Sequence, residues 1–386
     1  MVCSMIERKG ILIKNIFYML SYAYQVLWQS HYEDIAAEEF QNIHDLFAGI
    51  LAAGLTQQLK QGLYREYIPQ IDDLPVLRGK LDMQRTIRHK LQQKTLLACE
   101  YDQLTENNAF NQILKATAEI LLHAGNVKEE RRQALKRVLL FFHDIDPIEP
   151  FSINWSTLTF HRHNRSYEML LNICYFVISG LLLTTEKGRY KMAAFLKDIN
   201  MARLFEKFVL EYYRCHHPQL HPAPRQVQWD TDEESVRFLP SMNTDIMLKH
   251  GNQTLIIDTK YYSRTMQTTP FGSHTLHSGN LYQIFAYVKN EDKKRTGNVS
   301  GLLLYAKTGE SIAPDCDVKL GGNRIVVKTL DLNVPFSEIA GQLDGVVEMF
   351  FESYPSEVRT EKGLCEISEW EEENADLLHE KTTGEY

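Results

Sequence analysis

Two aspartates and a lysine lie close together in an otherwise apolar part of the sequence. Asp245 precedes the apolar residues 246–248, and Asp258 and Lys260 follow the apolar run that begins at Leu255. Carboxylate oxygens are ligands that suit Mg2+, and a neighbouring lysine can position a water molecule or stabilise charge that develops on a phosphate. The pattern is typical of a metal-dependent phosphodiesterase.

The two apolar runs predict an antiparallel β-hairpin, joined through His250, Gly251 and Asn252 by a turn longer than two residues. Side chains alternate along a strand, so Asp258 and Lys260 are expected on one face of it. The alternative is an exposed hairpin in which these two residues form a surface ion pair of little energetic value. The apolar run before Asp258 is instead typical of a central strand, where charged groups need a specific role.

The order of these residues resembles the PD-(D/E)xK nuclease superfamily. The sequence LIIDTKYY at 255–262 resembles the McrC family, the nuclease subunit of modification-dependent restriction systems. The segments IKNIFYMLSYAY (13–24), LRGKLD (77–82) and YDQLTENNAFNQILK (101–115) also resemble this family. One position departs from the superfamily pattern, because Thr244 stands where a proline is expected before the first aspartate. That proline is not a metal ligand, so the departure removes no chemistry.

The resemblance implies a Mg2+ site on the hairpin. Asp245, Asp258 and the backbone carbonyl of Thr259 would hold one or two Mg2+ ions. Lys260 would position the attacking water or stabilise charge on the phosphate during cleavage. Replacement of either carboxylate is expected to abolish cleavage and largely to spare the fold.

The resemblance also assigns roles to residues outside the hairpin. Glu206, in a helix predicted over 200–213, would complete the metal surroundings; the alternative is a surface glutamate that pairs with a basic residue along the helix. Gln283 and Tyr287 share one face of a helix predicted over 281–288 and resemble a Q-x-x-x-Y element of several relatives. Gln283 would contact DNA or the attacking water, or both residues would only pack or hydrogen-bond against the hairpin.

The expected partners also come from the resemblance. It implies an McrB-like AAA+ GTPase hexamer, whose hydrolysis the chain stimulates, and double-stranded DNA that carries 5-methylcytosine. The sequence contains no G-x-x-x-x-G-K-[ST] motif, so the nucleotide hydrolysis must belong to another chain. The alternative function, from a different class, is an interaction protein that activates a partner NTPase and cuts no DNA.

The expected fold class is α+β with an α/β nuclease core. Residues 1–190 are expected to form a mixed N-terminal domain that binds and activates the partner. Residues 191–355 are expected to form a PD-(D/E)xK restriction-endonuclease-like domain, with a mixed central sheet flanked by helices. Residues 356–386 form an acidic tail with 10 acidic and 3 basic side chains, which accounts for −7 of the net charge of −8. The rest of the chain is nearly neutral, so DNA binding needs local basic patches or a partner.

Composition indicates a cytoplasmic protein that is not inserted in a membrane. The six cysteines are scattered without a Cys-x-x-Cys pair, which is typical of a reducing compartment. The N-terminus has charged residues among its apolar ones, unlike a signal peptide, and the apolar stretch 169–183 is too short to cross a bilayer.

Two further clusters could bind ligands. Six basic residues between 78 and 94 accompany only one acid, Asp82, and this segment is either a solvated helix face or a surface that contacts phosphates or a partner. The segment from Cys215 to His221 contains three histidines, but its spacing matches no closed four-ligand zinc set and favours a proline-rich helix exit.

Overall fold

The structure is a computed structural model that describes residues 11–24, 40, 42–161, 164, 166–181, 198–231, 238–262, 267–268, 274–307 and 314–351. The chain forms two compact units. One comprises Ile43–Ala193, and the other combines Met1–Asn42 with Ala194–Tyr386. The acidic tail predicted at 356–386 lies outside the described residues.

The helices are α1 (Ile13–Tyr24), α2 (Ile43–Gln61), α3 (Met83–Leu91), α4 (Ala109–His123), α5 (Glu129–Leu139), α6 (Tyr167–Leu181), α7 (Asp198–His216), α8 (Ser278–Glu291) and α9 (Phe336–Phe350). The strands are β1 (Glu66–Leu74), β2 (Lys80–Leu81), β3 (Leu97–Thr105), β4 (Gln226–Val227), β5 (Met242–Asn243), β6 (Ile246–His250), β7 (Gln253–Lys260), β8 (Gln267–Thr268), β9 (His274–Thr275), β10 (Val299–Ala306), β11 (Cys316–Leu320) and β12 (Asn323–Leu330). Short 3-10 turns occur at Leu140–Phe142, Pro150–Ser152, Trp155–Thr157 and Pro218–Leu220.

Helix α1 packs in the same unit as the C-terminal part of the chain. Its Asn15 Nδ2 donates to the backbone oxygens of Leu332 and Val334, both at 2.8 Å. The ring of Tyr22 stacks on Phe336 at 5.5 Å between centroids. This grouping differs from the expected single domain over residues 1–190, because the helical pattern of α1 shows that it is buried but not which helix it packs against.

The unit Ile43–Ala193 has a helical core and a small antiparallel sheet. Helices α2, α4, α5 and α6 pack against one another, and the sheet has the strand order β1-β3-β2 with α3 against β3. Helix α4 is capped by Asn108, whose side chain accepts a hydrogen bond from the N–H of Asn111. Asn108 is the extended residue directly before the first helical turn, which is the usual position of an N-cap.

The basic segment 78–94 forms β2 and α3, and neighbouring acids neutralise part of its charge. Arg85 and His89 both contact Asp73, at 3.2 and 2.9 Å, and Lys80 pairs with Glu100 at 3.3 Å. The segment is therefore an exposed surface of mixed charge.

The other unit is built on a five-stranded mixed sheet with the order β11-β12-β10-β7-β6. Strands β7, β10 and β12 run parallel, whereas β6 and β11 pair antiparallel with β7 and β12. Helix α8 covers one face, where Ile284 and Val288 pack into a buried cluster with Ile256 and Leu303. The predicted α+β class with a mixed sheet flanked by helices is confirmed.

Helix α8 approaches the sheet closely at a glycine of β10. A Cβ atom on Gly301 would lie 2.7 Å from Cγ1 of Ile284 and 2.9 Å from Cγ2 of Val288. We expect Gly301→Ala to destabilise the protein by about 1–3 kcal/mol, because the added methyl group overpacks the helix–sheet contact. Chemical denaturation measures this change.

Gly345→Ala in α9 is the matched control for this prediction. A Cβ atom at Gly345 meets no heavy atom within 4 Å, so alanine should stabilise the helix by about 0.5–1 kcal/mol. Equal effects of the two substitutions on the free energy of unfolding would contradict the close packing at Gly301.

Candidate functional site

The site is built on the hairpin of β6 and β7. His250 pairs with Gln253, so the turn consists of only Gly251 and Asn252, with Gly251 at φ +56°. The expected longer turn was wrong, because polar side chains at the strand ends do not prevent backbone pairing. Strand β7 lies between β6 and β10, which places Asp258 in the interior of the sheet.

Asp258 and Lys260 form a buried pair at the end of β7. Lys260 Nζ lies 2.6 Å from Oδ2 of Asp258, and the two side chains are 14% and 0% exposed. The proximity meets the distance of an ion pair, yet among the described residues neither oxygen of Asp258 has a hydrogen bond of regular geometry. The surface ion pair is excluded by this burial, and the incompletely paired carboxylate is costly for the fold.

The pKa values of Asp258 and Lys260 reflect the cost of burying this carboxylate. Burial raises the pKa of Asp258 to about 6, and the charge of Asp245 adds to this rise while Lys260 opposes it. Burial alone would lower the pKa of Lys260, but the negative charge of Asp258 outweighs it and the pKa is raised. The site therefore has an excess of negative potential that an additional cation would relieve.

Hydrogen bonds to Thr259 of β7 hold Asp245 in position next to Asp258. Its Oδ2 accepts hydrogen bonds from the N–H and the hydroxyl of Thr259, at 2.7 and 2.9 Å. The preceding Thr244 donates its N–H to the carbonyl of Arg225 at 2.9 Å. A proline at this position has no N–H to donate. Thr244 therefore anchors the start of β6 where the superfamily pattern has proline.

The charges of Asp245, Asp258 and Lys260 also act on Glu206 of α7. Its pKa is raised first by desolvation and then by the charges of Asp245 and Asp258, whereas Lys260 lowers it. The residue still has an exposed surface, so its carboxylate can reach solvent. Across the described ranges, no three His, Cys, Asp or Glu side chains are arranged as a metal-binding group. The structure thus brings Glu206 towards the other carboxylates without completing a three-carboxylate cluster.

Helix α8 connects to the lysine through a side-chain relay. Lys260 Nζ donates to Oε1 of Gln283 at 3.3 Å, and Gln283 Nε2 donates to the hydroxyl of Tyr287 at 2.9 Å. The interpretation in which Gln283 hydrogen-bonds the hairpin is therefore observed. This relay holds the ammonium group next to Asp258.

The chemistry of this donor set fits a hard divalent cation. Among the described residues, Asp258 offers two buried oxygens without a hydrogen bond of regular geometry, and Asp245 has a second oxygen beyond the one that Thr259 occupies. Carboxylate oxygens of this kind suit Mg2+.

Comparison with known proteins places the chain in a family. Residues 6–306 match the family model described as McrBC 5-methylcytosine restriction system component. The chain belongs to this McrBC family. The match includes every candidate residue from Glu206 to Gln283, and it confirms the McrC resemblance at the level of the family.

Individual relatives have low sequence identity to this McrBC-family chain. The type IV methyl-directed restriction enzyme EcoKMcrBC of Escherichia coli (strain K12) is 27% identical over 305 residues, which cover 78% of this chain and 87% of that protein. A solved half-complex of Thermococcus gammatolerans McrB AAA+ hexamers with bound McrC contains a chain 19% identical, with a TM-score of 0.44 and coverage of 86% and 76%. A cryo-EM structure of the Thermococcus gammatolerans McrBC complex matches at 23% identity and a TM-score of 0.38, with coverage of 53% and 58%.

Three side chains near the site of this McrBC-family chain were missed from the sequence. Asn280 Nδ2 donates to the hydroxyl of Tyr305 at 2.9 Å, and the hydroxyl of Tyr262 donates to Asn280 Oδ1 at 3.2 Å. The available signal was Tyr305 itself, the one residue with a side-chain hydroxyl in the run LLLYA at 302–306.

Two histidines of the zinc alternative hydrogen-bond to other side chains, and within the described ranges no three His, Cys, Asp or Glu side chains form a metal-binding group. His216 Nε2 bonds with the hydroxyl of Tyr22, and His217 Nε2 bonds with Asp344, both at 2.8 Å. These two ring nitrogens therefore stabilise packing between helices.

Within the described ranges, no helix has the length and apolar character needed to cross a membrane.

Proposed function

We propose that this chain is the Mg2+-dependent DNA endonuclease subunit of a cytoplasmic, modification-dependent restriction complex. The observation that carries the proposal is the Asp258 carboxylate, which is completely buried, has no hydrogen-bond donor in regular geometry, and lies beside Lys260 and Asp245. A fold retains such a costly group when it serves a function. Membership of the McrBC family supports restriction as that function.

The side chains have distinct roles in this proposal. Asp245, Asp258 and the backbone carbonyl of Thr259 would hold Mg2+, and Glu206 would complete the site directly or through water. Bound Mg2+ supplies a lowered pKa for the attacking water and neutralises charge on the scissile phosphate. Lys260 would position that water or stabilise the charge that develops on the phosphate.

The proposed partner is an McrB-like AAA+ GTPase hexamer, whose hydrolysis this chain stimulates. Family membership supports a multi-subunit system, and the E. coli relative is a methyl-directed restriction enzyme. The sequence has no phosphate-binding P-loop motif of its own. The proposed substrate is therefore double-stranded DNA that carries 5-methylcytosine, presented by the partner.

Cleavage of methylated and unmethylated plasmid tests the proposal. The reaction contains the chain, Mg2+, GTP and the AAA+ protein encoded beside it, and Asp245→Asn is compared with wild type. We expect wild type to cut the methylated plasmid only in the complete mixture, and Asp245→Asn to stimulate GTP hydrolysis without cutting. If wild type also stimulates hydrolysis but never cuts, the chain is the non-cleaving activator.

Glu206→Gln tests the third carboxylate. Because Glu206 shares the field of Asp245 and Asp258, we expect a cleavage rate about 10- to 100-fold lower and a higher Mg2+ requirement. Titration of cleavage against Mg2+ measures both effects. Glu348→Gln, at an exposed position on α9, is the control and should cleave like wild type. An unchanged Mg2+ requirement in Glu206→Gln would assign Glu206 to the helix surface.

A further inference from the structure

A buried hydroxyl belongs to a side chain on the sheet face that carries the Asp258–Lys260 pair, and it has no role in the chemistry proposed above. Tyr305 of β10 is completely buried and stands in register with Lys260 of the parallel strand β7. Residues in register on parallel strands project from the same face of the sheet. The Tyr305 ring therefore lies on the face that also carries Asp258 and Lys260.

Asn280, in the first turn of α8, determines which way the Tyr305 proton points. Its Nδ2 donates to the Tyr305 oxygen at 2.9 Å, and its Oδ1 already accepts the proton of Tyr262 at 3.2 Å. A phenolic hydroxyl has one proton to donate, and Asn280 occupies one of its acceptor positions. The proton of Tyr305 is thus directed away from Asn280, and none of the described residues accepts it.

The Asp258 carboxylate can accept the hydrogen bond that Tyr305 can donate. Both of its oxygens are buried and lack a donor in regular geometry among the described residues. The two groups also interact electrostatically, since the pKa of Tyr305 is raised first by burial and, to a smaller degree, by the charge of Asp258. A buried hydroxyl proton without an acceptor therefore lies on the same sheet face as a buried carboxylate that Lys260 contacts at 2.6 Å but that has no donor in regular geometry.

We propose that Tyr305 is a positioning residue that donates a hydrogen bond to the Asp258 carboxylate through one water, and that Asn280 directs this proton. The inference rests on the proposed Mg2+ site. A hydrogen bond to one oxygen of Asp258 fixes the rotation of the carboxylate and leaves the other oxygen oriented for the cation. Neither Tyr305 nor Asn280 touches the reacting atoms in this arrangement.

Tyr305→Phe tests the role with two readouts, the Mg2+ concentration that gives half of the maximal thermal stabilisation and the Mg2+ dependence of cleavage. We expect both midpoints to rise about tenfold, the size expected for one hydrogen bond to a charged group, and saturating Mg2+ to restore most of the cleavage rate. The control is Tyr213→Phe, which removes an equally buried hydroxyl that donates to the Leu343 carbonyl at 3.1 Å. The control should leave the Mg2+ midpoints unchanged.

Asn280→Leu and the double variant complete the test. Asn280→Leu leaves the Tyr305 proton free to rotate, so we expect a smaller rise in the Mg2+ midpoint, about threefold. Because Asn280 acts only through Tyr305, the double variant should match Tyr305→Phe alone. Additive effects, or a wild-type midpoint in Tyr305→Phe, would overturn the inference while the Mg2+ response of wild type still supports the nuclease site. A wild-type protein that neither responds to Mg2+ nor cuts DNA overturns the proposed function itself.

Discussion

Asp258→Asn is expected to abolish DNA cleavage and yet to make the metal-free protein more stable. Asparagine has nearly the shape of aspartate, so the packing around β7 is retained, but it lacks the charged oxygens that the proposed Mg2+ site needs. Cleavage should fall by at least about 1,000-fold, the order expected when a group that acts on transition-state charge is removed. Plasmid cleavage in the complete mixture measures this loss.

The gain in stability follows from the pKa of Asp258. That pKa is about 6 in the folded protein, above the ordinary value of 3.8, so the unfolded chain releases the proton first. The free energy of unfolding therefore falls as the pH rises from about 4 to about 6, and stays lower above that range. Because each pKa unit corresponds to about 1.4 kcal/mol, the uncharged variant should be more stable at pH 7.5 by roughly 2–3 kcal/mol.

Urea denaturation in a chelator at pH 4 and pH 7.5 measures this difference. The gain should be present at pH 7.5 and nearly absent at pH 4, and added Mg2+ should stabilise wild type alone. Asp315→Asn, which removes an exposed carboxylate paired with Lys328, should change stability by less than about 0.5 kcal/mol. A variant Asp258→Asn less stable than wild type at pH 7.5 would mean that its pairing with Lys260 outweighs the cost of burial.

The hairpin and its carboxylates could be predicted because the information is local. Alternation along β7 determines that Asp258 and Lys260 share a face, and the apolar run before them determines that this face is buried. Strand β11 was missed although its sequence CDVKL alternates apolar and polar residues, because an edge strand of five residues gives only a short pattern. The other edge strand, β6, was predicted because it pairs with β7 in a local hairpin.

The relay of side chains around the pair could not be predicted from local pattern. Tyr305 and Lys260 are 45 positions apart, and they meet only because β10 pairs in parallel with β7. Asn280 is likewise positioned by the packing of α8, which Gly301 allows to approach the sheet. Only the register and the helix–sheet distance show that these residues act on the site.

Lys260→Met is expected to reduce cleavage by about 100- to 1,000-fold. Unlike Asp258→Asn, it should make the metal-free protein less stable and should strengthen Mg2+ binding. Methionine keeps the apolar stem and removes the ammonium that lies 2.6 Å from Asp258 Oδ2. Asp258 then remains buried without its cation, so the metal-free protein should lose about 3 kcal/mol at pH 7.5. Mg2+ no longer competes with the ammonium for the carboxylate, and its affinity should rise.

Thermal unfolding over a range of Mg2+ concentrations separates the two variants. Mg2+ should stabilise Lys260→Met more than wild type and should leave Asp258→Asn unchanged. Lys328→Met, which breaks an exposed pair with Asp315 on the same sheet, is the control and should respond like wild type. A purely structural ion pair predicts that both variants of the buried pair lose stability and that neither responds to Mg2+. Opposite signs therefore identify the buried pair as part of a cation site.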